Sequence, residues 1–467
     1  MHHSVTVCAV CYSEVGAGKH FRSVMYGVSA LLLAVIWAGP ALAGTPINFT
    51  PLPNSAVDAP SNSTQELNTP FLLSDGITSQ TSLVSKTNPS YLSSTKLGNW
   101  DMITTNETGP DAGRYLFQAH ETGSNAGVSR YDRTTGQMVN LGFNISWGAL
   151  DGSTWTPWGT VITGEEWTAQ GRLFEVTNPL ADPNTTAINI VERTAIPNVS
   201  QEGLKFDSAG NFYFIDEFNG GALYKYAPTN PNTASALTQG QSFVLKDDLA
   251  GDGANVGAAT WVPLTDALGN TLPGITDPFD VTGGNLRPGR TAANDVGATD
   301  YFRPEDLEIS KLANGNEVLY MATTSTDQVF SIELNSATTA TVREFVNNAT
   351  IDAATGLSVD APGNIFQTPD NLAIDAFGIS TSWKTRAPGI SGTPRTPTTT
   401  VWPSGSRVGR RWAWWEPSRP GFTSIRSMRG GLTSMSSTHQ AATTTWSSCR
   451  CRSWVTSMVM GSWGSRT

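Results

Sequence analysis

Five groups of polar side chains stand out because each flanks a short run of strand-forming residues. They are His120 with Glu121, Glu165 with Glu166, Glu202, Arg303 with Glu305 and Asp306, and Asp370 with Asn371. If the runs converge, so do these residues, and so many carboxylates repel one another unless cations neutralise them. Hard, oxygen-seeking ions such as Ca²⁺, Mg²⁺ or oxidised iron are the natural occupants. For any single acid a solvated surface position is the plain alternative; for the set, recurring at equivalent positions, cation binding is the stronger reading. Arg303 beside Glu305 adds a guanidinium, which can hold a phosphate by paired hydrogen bonds while bound cations activate an attacking oxygen. A simple ion pair between the two is the alternative.

The elements that must position these residues are short and β-rich. GRYLFQAHE with GVSRYDRTTGQMVNLGF, GNFYFIDEFNGGALYKYAP and NEVLYMATTSTDQVFSIEL alternate runs of aromatic and branched residues with Gly or Asn turns, which predicts antiparallel β structure. Three hairpins match in detail: QEGLKFD leads into GNFYFIDE, PEDLEI into NGNEVLYMATT, and PDNLAID into Ala376, Phe377 and Gly378. Such recurrence is what a β-propeller produces, each blade delivering the start of its inner strand to the central axis. A β-sandwich with similar hairpins is the alternative. Residues 230–300, rich in Asn, Gly, Thr and Asp, read as a long excursion between blades, and 44–95 as an irregular arm.

Composition narrows the function classes. Of 467 residues, 39% are apolar, too many for general disorder, and no long amphipathic period suggests a helical bundle. The formal net charge of −10 averages unlike parts: residues 44–378 carry 37 acids against 15 Lys and Arg, whereas 379–467 carry 12 basic residues against one acid, Glu416. The acidic body excludes nucleic acid as a main partner, because phosphate backbones need basic faces.

At the amino terminus, Lys19, His20 and Arg22 precede VMYGVSALLLAVIWAGPALA, which ends in Ala41, Leu42 and Ala43. A basic start, an apolar run and an Ala-x-Ala end form the layout of a secretory signal over 19–43, cleaved before Gly44. An uncleaved membrane anchor is the alternative; with cleavage no stable span remains, and the body at 44–378 is periplasmic or extracellular. Residues 1–18 read as an upstream extension from a mis-assigned start. The body has no cysteine: Cys8 and Cys11 lie in the leader, Cys449 and Cys451 in the tail. A lone Cys-x-x-Cys in a leader is a poor zinc site.

TPWGTVITGEE (156–166), SQEGLKFD (200–207), YFRPEDLEI (301–309) and TPDNLAID (368–375), with the His120–Glu121 hairpin, resemble the PhoX-type secreted alkaline phosphatases. The matched motifs extend over about 115–378. The resemblance implies a six-bladed propeller holding calcium and ferric iron and hydrolysing small-molecule phosphate esters outside the cytoplasm. By motif, it implies that Glu202 and Glu305 are metal ligands, that Glu165 and Glu166 serve the metal cluster, and that Arg303 contacts the phosphate. One departure matters: the family commonly has an iron-binding cysteine where this chain has Gly164. That leaves calcium as the expected ion and weakens the case for iron.

After Gly378 the pattern breaks. The 379–467 segment holds eight of the chain's 15 Trp and lacks strand alternation and acids, as a GC-rich strand read out of frame would. Reading Ile379 to Gly392 one base earlier permits NLYIVEDPRPGDIW, which completes the interrupted hairpin. The tail is therefore not expected to be a native domain, and the propeller is expected to be incomplete in this chain, which makes the chain unstable or inactive as written. The leading expectation is an all-β, six-bladed propeller acting as an exported, monomeric, metal-dependent phosphatase, with Arg303, Glu202 and Glu305 as catalytic residues. A non-catalytic calcium-binding propeller and a calcium-dependent propeller lactonase are the alternatives.

Overall fold

The computed structural model describes residues 100–248, 255–284, 286–351, 356–359 and 366–374, with short stretches at 64–65, 69, 73, 77–85, 379–384, 400–403, 422–423, 435–436 and 445–451. The expected upstream extension, the export signal, the 375–378 turn and most of the tail lie outside the described residues. Among the described residues no helix is long and apolar enough to cross a membrane.

Strand β1 (Ile77–Ser85) precedes a run of small antiparallel sheets. The first sheet is β2 (Trp100–Thr105), β3 (Tyr115–His120), β4 (Gly127–Asp132) and β5 (Gln137–Phe143); the second is β6 (Leu150–Trp155), β7 (Val161–Glu165), β8 (Leu173–Val176) and β9 (Ile190–Glu192). The third holds β10 (Gln201–Phe206), β11 (Phe212–Asp216), β13 (Leu223–Pro228) and β14 (Gly240–Asp247), with the short β12 (Asn219–Gly221) outside it. Then come β15 (Gly257–Pro263), helix α1 (Pro288–Asp295) and β16 (Tyr301–Phe302), which pairs with β12. The fourth sheet is β17 (Pro304–Lys311), β18 (Glu317–Thr323), β19 (Gln328–Leu334) and β20 (Thr339–Val346), and the fifth is β21 (Pro369–Ile374), β22 (Ile379–Lys384) and β23 (Thr400–Pro403). In the tail, β24 (Phe422–Thr423) pairs with β25 (Met435–Ser436) beside β2, and β26 (Thr445–Cys451) pairs with β1.

The strands β2, β6, β10, β17 and β21 pack side by side in that order. Each leads its own sheet, so the sheets radiate from a common axis as propeller blades do. The cores lie between blades, which explains why the strands read as continuous apolar runs rather than alternating ones. In β11, Phe212 and Phe214 join Ile162, Leu173 and Tyr224 on one side, while Tyr213 and Ile215 join Leu307, Leu319 and Met321 on the other. In β18 the odd and even residues divide in the same way between two cores. A blade interior to the ring has no solvent face, so period-two polarity disappears.

The expected excursion at 230–300 is corrected in part. Strand β14 closes the third blade, and β15 pairs with both β14 and β20, fusing the third and fourth blades into one nine-stranded sheet. Few branched residues mark β15, and its pairing comes from two flanking edges rather than its own propensity.

Three of the five inner strands are entered through a left-handed, non-glycine residue: Ala149 (φ 44°), Arg303 (φ 53°) and Thr368 (φ 48°). The carbonyls of Ala149 and Arg303 accept from the amides of Glu166 (2.8 Å) and Thr324 (3.0 Å), and Ser200 takes the same part for Glu217 (3.0 Å). In these three blades the bond ties the start of the inner strand to the residue beyond the end of its neighbour, and a side chain in the left-handed region costs about 1–2 kcal/mol. Ala149→Gly is expected to raise unfolding stability by about 1 kcal/mol, measured by denaturant titration; an unchanged or lower midpoint would show that the kink carries no strain.

Candidate active site

Each inner strand carries an acid as its second residue: Asp101, Asp151, Glu202, Glu305 and Asp370. Each also carries a register irregularity at that place, between Trp100 and Ile103, Leu150 and Ser153, Glu202 and Lys205, Pro304 and Leu307, and Pro369 and Leu372. A bulge adds a residue without a cross-strand partner and re-aims its side chain. Asp101, Asp151, Glu305 and Asp370 lie inside the irregularity, whereas Glu202 keeps its partner Ile215 and borders a bulge at Gly203 and Leu204. In the third blade the device needs glycine, because Gly203 has φ +55° and an added Cβ would lie 2.8 Å from the Leu307 backbone nitrogen.

A second layer comes from the residues that follow the neighbouring strands: Glu121 after β3, Glu166 after β7 and Glu217 after β11. Oxygens of Glu202, Glu305 and Asp370 all lie within 4.8 Å of one another. Burial, then Asp151, Glu305, Glu217 and Asp370, push the Glu202 carboxyl well above its ordinary range. Burial dominates likewise for Asp101, Asp151, Glu166 and Glu305, each raised further by other acids of the group. Asp101 keeps some surface open, yet loses enough water for burial to lead. After burial, Glu217 is the largest cause of the shift in Glu166, and two neighbouring acids of this kind favour a shared proton or a cation.

Arg303 closes the group on one side. Its Nε donates to Glu217 Oε1 at 2.8 Å, and its Nη2 lies 2.9 Å from Glu305 Oε1 and also against Glu217. Burial opposes its charge, but Glu305 and Glu217 outweigh that and hold the guanidinium protonated.

The other residues singled out in the sequence stand one layer back. His120 Nε2 meets Trp100 Nε1 at 3.1 Å and Ser129 Oγ at 2.7 Å, with its ring edge-on to Phe143. Glu165 is fully buried in a paired contact with Arg172, at 2.7 and 2.8 Å. Asp306 accepts the amides of Leu307 (2.7 Å) and Leu372 (2.9 Å), strapping β17 to β21, and burial raises its carboxyl to about 7. Asn371 donates to Asp370 Oδ1 at 3.1 Å. The group itself thus gathers Glu121, Glu166, Glu202, Arg303, Glu305 and Asp370, with Asp101, Asp151 and Glu217 as members the sequence reading missed. Aligning the five strand starts (WD, LD, QE, PE, PD) would have found the first two. Arg287, donating to the Glu166 carbonyl at 2.6 and 3.1 Å, and Arg290, paired with Asp216 at 2.5 and 2.6 Å, come from the supposed excursion.

The donor set fits hard cations. Asp151 Oδ1 and Glu202 Oε2 are buried without a hydrogen-bond partner, and the converging donors are oxygens. A thiolate at position 164 does not fit: an added Cβ there would lie 2.1 Å from Gln201 Cβ.

An all-β propeller with an acid-lined axis and one arginine across two of its acids defines the class. The family model described as Alkaline phosphatase PhoX matches residues 96–381, so the chain belongs to that family and is a phosphatase. Among solved structures it is similar to Pseudomonas fluorescens PhoX in complex with vanadate, a transition state analogue. The two share 16% identity, 86% of this chain and 98% of that one are covered, and the TM-score is 0.56. A gluconolactonase from Xanthomonas campestris shares 12% identity over 86% and 99% of the two chains, with a TM-score of 0.40. No curated protein matches the sequence.

Acids raised in the folded state bind protons that the unfolded chain releases, so their ionisation destabilises the fold. In chelator, stability is expected to fall as pH rises from the ordinary Asp and Glu values of 3.8 and 4.5 through the raised range. Glu202→Gln should flatten that slope in denaturant titrations across pH; a slope unaltered by Glu202→Gln would place the strain elsewhere.

Proposed function

We propose that this phosphatase is exported and calcium-dependent, hydrolysing phosphate monoesters at the axial acid group. The observation that carries the reading is Arg303 lying across Glu217 and Glu305, beside the three acids gathered within 4.8 Å. Asp151, Glu202, Glu305 and Asp370 would hold the cations, with Asp101, Glu121, Glu166 and Glu217 completing the charge. A bound hard cation supplies a Lewis acid for the phosphoryl oxygens and lowers the pKa of water. Arg303 exchanges its carboxylate partners for two phosphate oxygens, orienting the ester by paired hydrogen bonds and stabilising charge that grows on those oxygens. The phosphate-like vanadate in the P. fluorescens protein is consistent with such a site. With glycine at 164, calcium rather than thiolate-bound iron is the proposed ion.

The proposed roles leave Glu165 a buried ion pair behind the site and His120 a packing residue, both supporting the wall rather than touching substrate. Export follows from the leader at 19–43, and cleavage before Gly44 is read directly by N-terminal sequencing of secreted protein. The tail is proposed to be an out-of-frame product; an extra or missing base near the codon for Gly378 would establish it, and restoring the frame would then be expected to raise activity.

Chelation is expected to abolish hydrolysis of a chromogenic phosphate ester, and calcium to restore it. Arg303→Ala should lower kcat/KM by about 10²–10³-fold, with Arg303→Lys recovering part. Calcium binding without ester turnover in the frame-restored chain would favour the non-catalytic propeller, and turnover of lactones alone the lactonase.

A further inference from the structure

Nine large apolar side chains are exposed among the described residues, and they are not scattered evenly. Four stand one residue from the groups that build the site: Trp167 follows Glu166, Phe218 follows Glu217, Phe302 precedes Arg303 and Leu286 precedes Arg287. Each is about half exposed, at 51%, 49%, 47% and 48%.

Their backbones are held close together. Arg287 donates to the Glu166 carbonyl at 2.6 Å and Arg290, three residues along, lies over the Phe218 ring, so Trp167 and Phe218 border the same segment. Phe302 faces Asn219 in the β12–β16 pair, and the Arg303 amide donates to the Phe218 carbonyl at 3.1 Å. Two of the rings are also anchored. Trp167 Nε1 donates to Glu121 Oε1 at 2.5 Å, and the Arg290 guanidinium lies 3.8 Å from the Phe218 ring centre. Anchored, half-exposed aromatic rings beside a polar reaction centre are the usual means of holding the apolar part of a ligand.

We propose that Trp167, Phe218 and Phe302 form a seat for the leaving group, so that this chain prefers phosphate monoesters whose alcohol carries a flat ring. The inference rests on the phosphatase reading and adds its substrate class. With the phosphate held by Arg303, the ester's alcohol projects outward past residues 167, 218 and 302, where a flat ring stacks.

Calorimetry on the calcium-loaded, frame-restored chain with phenylphosphonate and methylphosphonate tests the seat without turnover. Stacking plus apolar burial should favour the phenyl compound by about tenfold, and the Trp167→Ala, Phe218→Ala double variant should reduce the ratio to about twofold. The kcat/KM ratio of uridine 5′-monophosphate to glycerol 1-phosphate, both esters of primary alcohols, should fall in parallel. Trp167→Phe keeps the ring but loses the bond to Glu121, so it should retain the preference. Equal binding of the two phosphonates, a ratio unchanged in the double variant, or a Trp167→Phe as impaired as Trp167→Ala would overturn the seat. Binding of neither phosphonate would overturn the phosphate reading and the seat with it, whereas a phenyl preference in binding without ester turnover would overturn the hydrolase reading alone.

Discussion

Repulsion among buried carboxylates is the constraint on which the centre of this molecule depends. Two like charges at 4.8 Å, the outer limit for the Glu202, Glu305 and Asp370 oxygens, cost about 3 kcal/mol at an effective dielectric of about 20. Three such pairs approach the whole stability of a typical domain, about 5–15 kcal/mol. Arg303 supplies one positive charge across two acids and cannot balance the rest. The wall must therefore take up protons or cations.

The other arginines of this region show how the layers divide the work. The last residues of β3, β7 and β11 are His120, Glu165 and Asp216, and each makes local contacts: His120 Nε2 with Trp100 and Ser129, Glu165 with Arg172, and Asp216 with Arg290. One residue later come Glu121, Glu166 and Glu217, which face the axis group instead. Consecutive residues of an extended chain point to opposite sides, so a single step along the chain separates the locally engaged layer from the acids of the axis group. Without the outer ion pairs the inner acids would add to an already charged core, and a buried pair broken on one side is strongly destabilising.

That single-residue step is also why the sequence was read well at one level and less well at another. The acids at Glu202, Glu305 and Asp370 were legible because QEGL, PEDL and PDNL repeat the same strand start. Asp101 and Asp151 were missed because WDMI and LDGS share only the acid, the flanking residues being set by different interblade cores. The pairs HE and EE could not be resolved into wall and support, since adjacent polar residues look alike until strand direction is known. Arg287 and Arg290 lay in a stretch without strand pattern, and helix α1 and its N-cap residue bring them to Glu166 and Asp216 only through tertiary packing.

Gly164 shows a coupling of the same kind between neighbouring blades. A Cβ at 164 would meet Gln201 Cβ at 2.1 Å and Cγ at 2.9 Å, and the first of these atoms cannot rotate away. At this spacing of β7 and β10, one of the two positions must be glycine. The absent thiolate is therefore not an isolated change that one substitution reverses: restoring it would require removing the side chain at 201 or moving the second and third blades apart. Such a movement would disturb Gly152, whose added Cβ would already lie 3.1 Å from Glu202 Cα. The packing of the second and third blades thus excludes a thiolate at 164 as firmly as the residue there does.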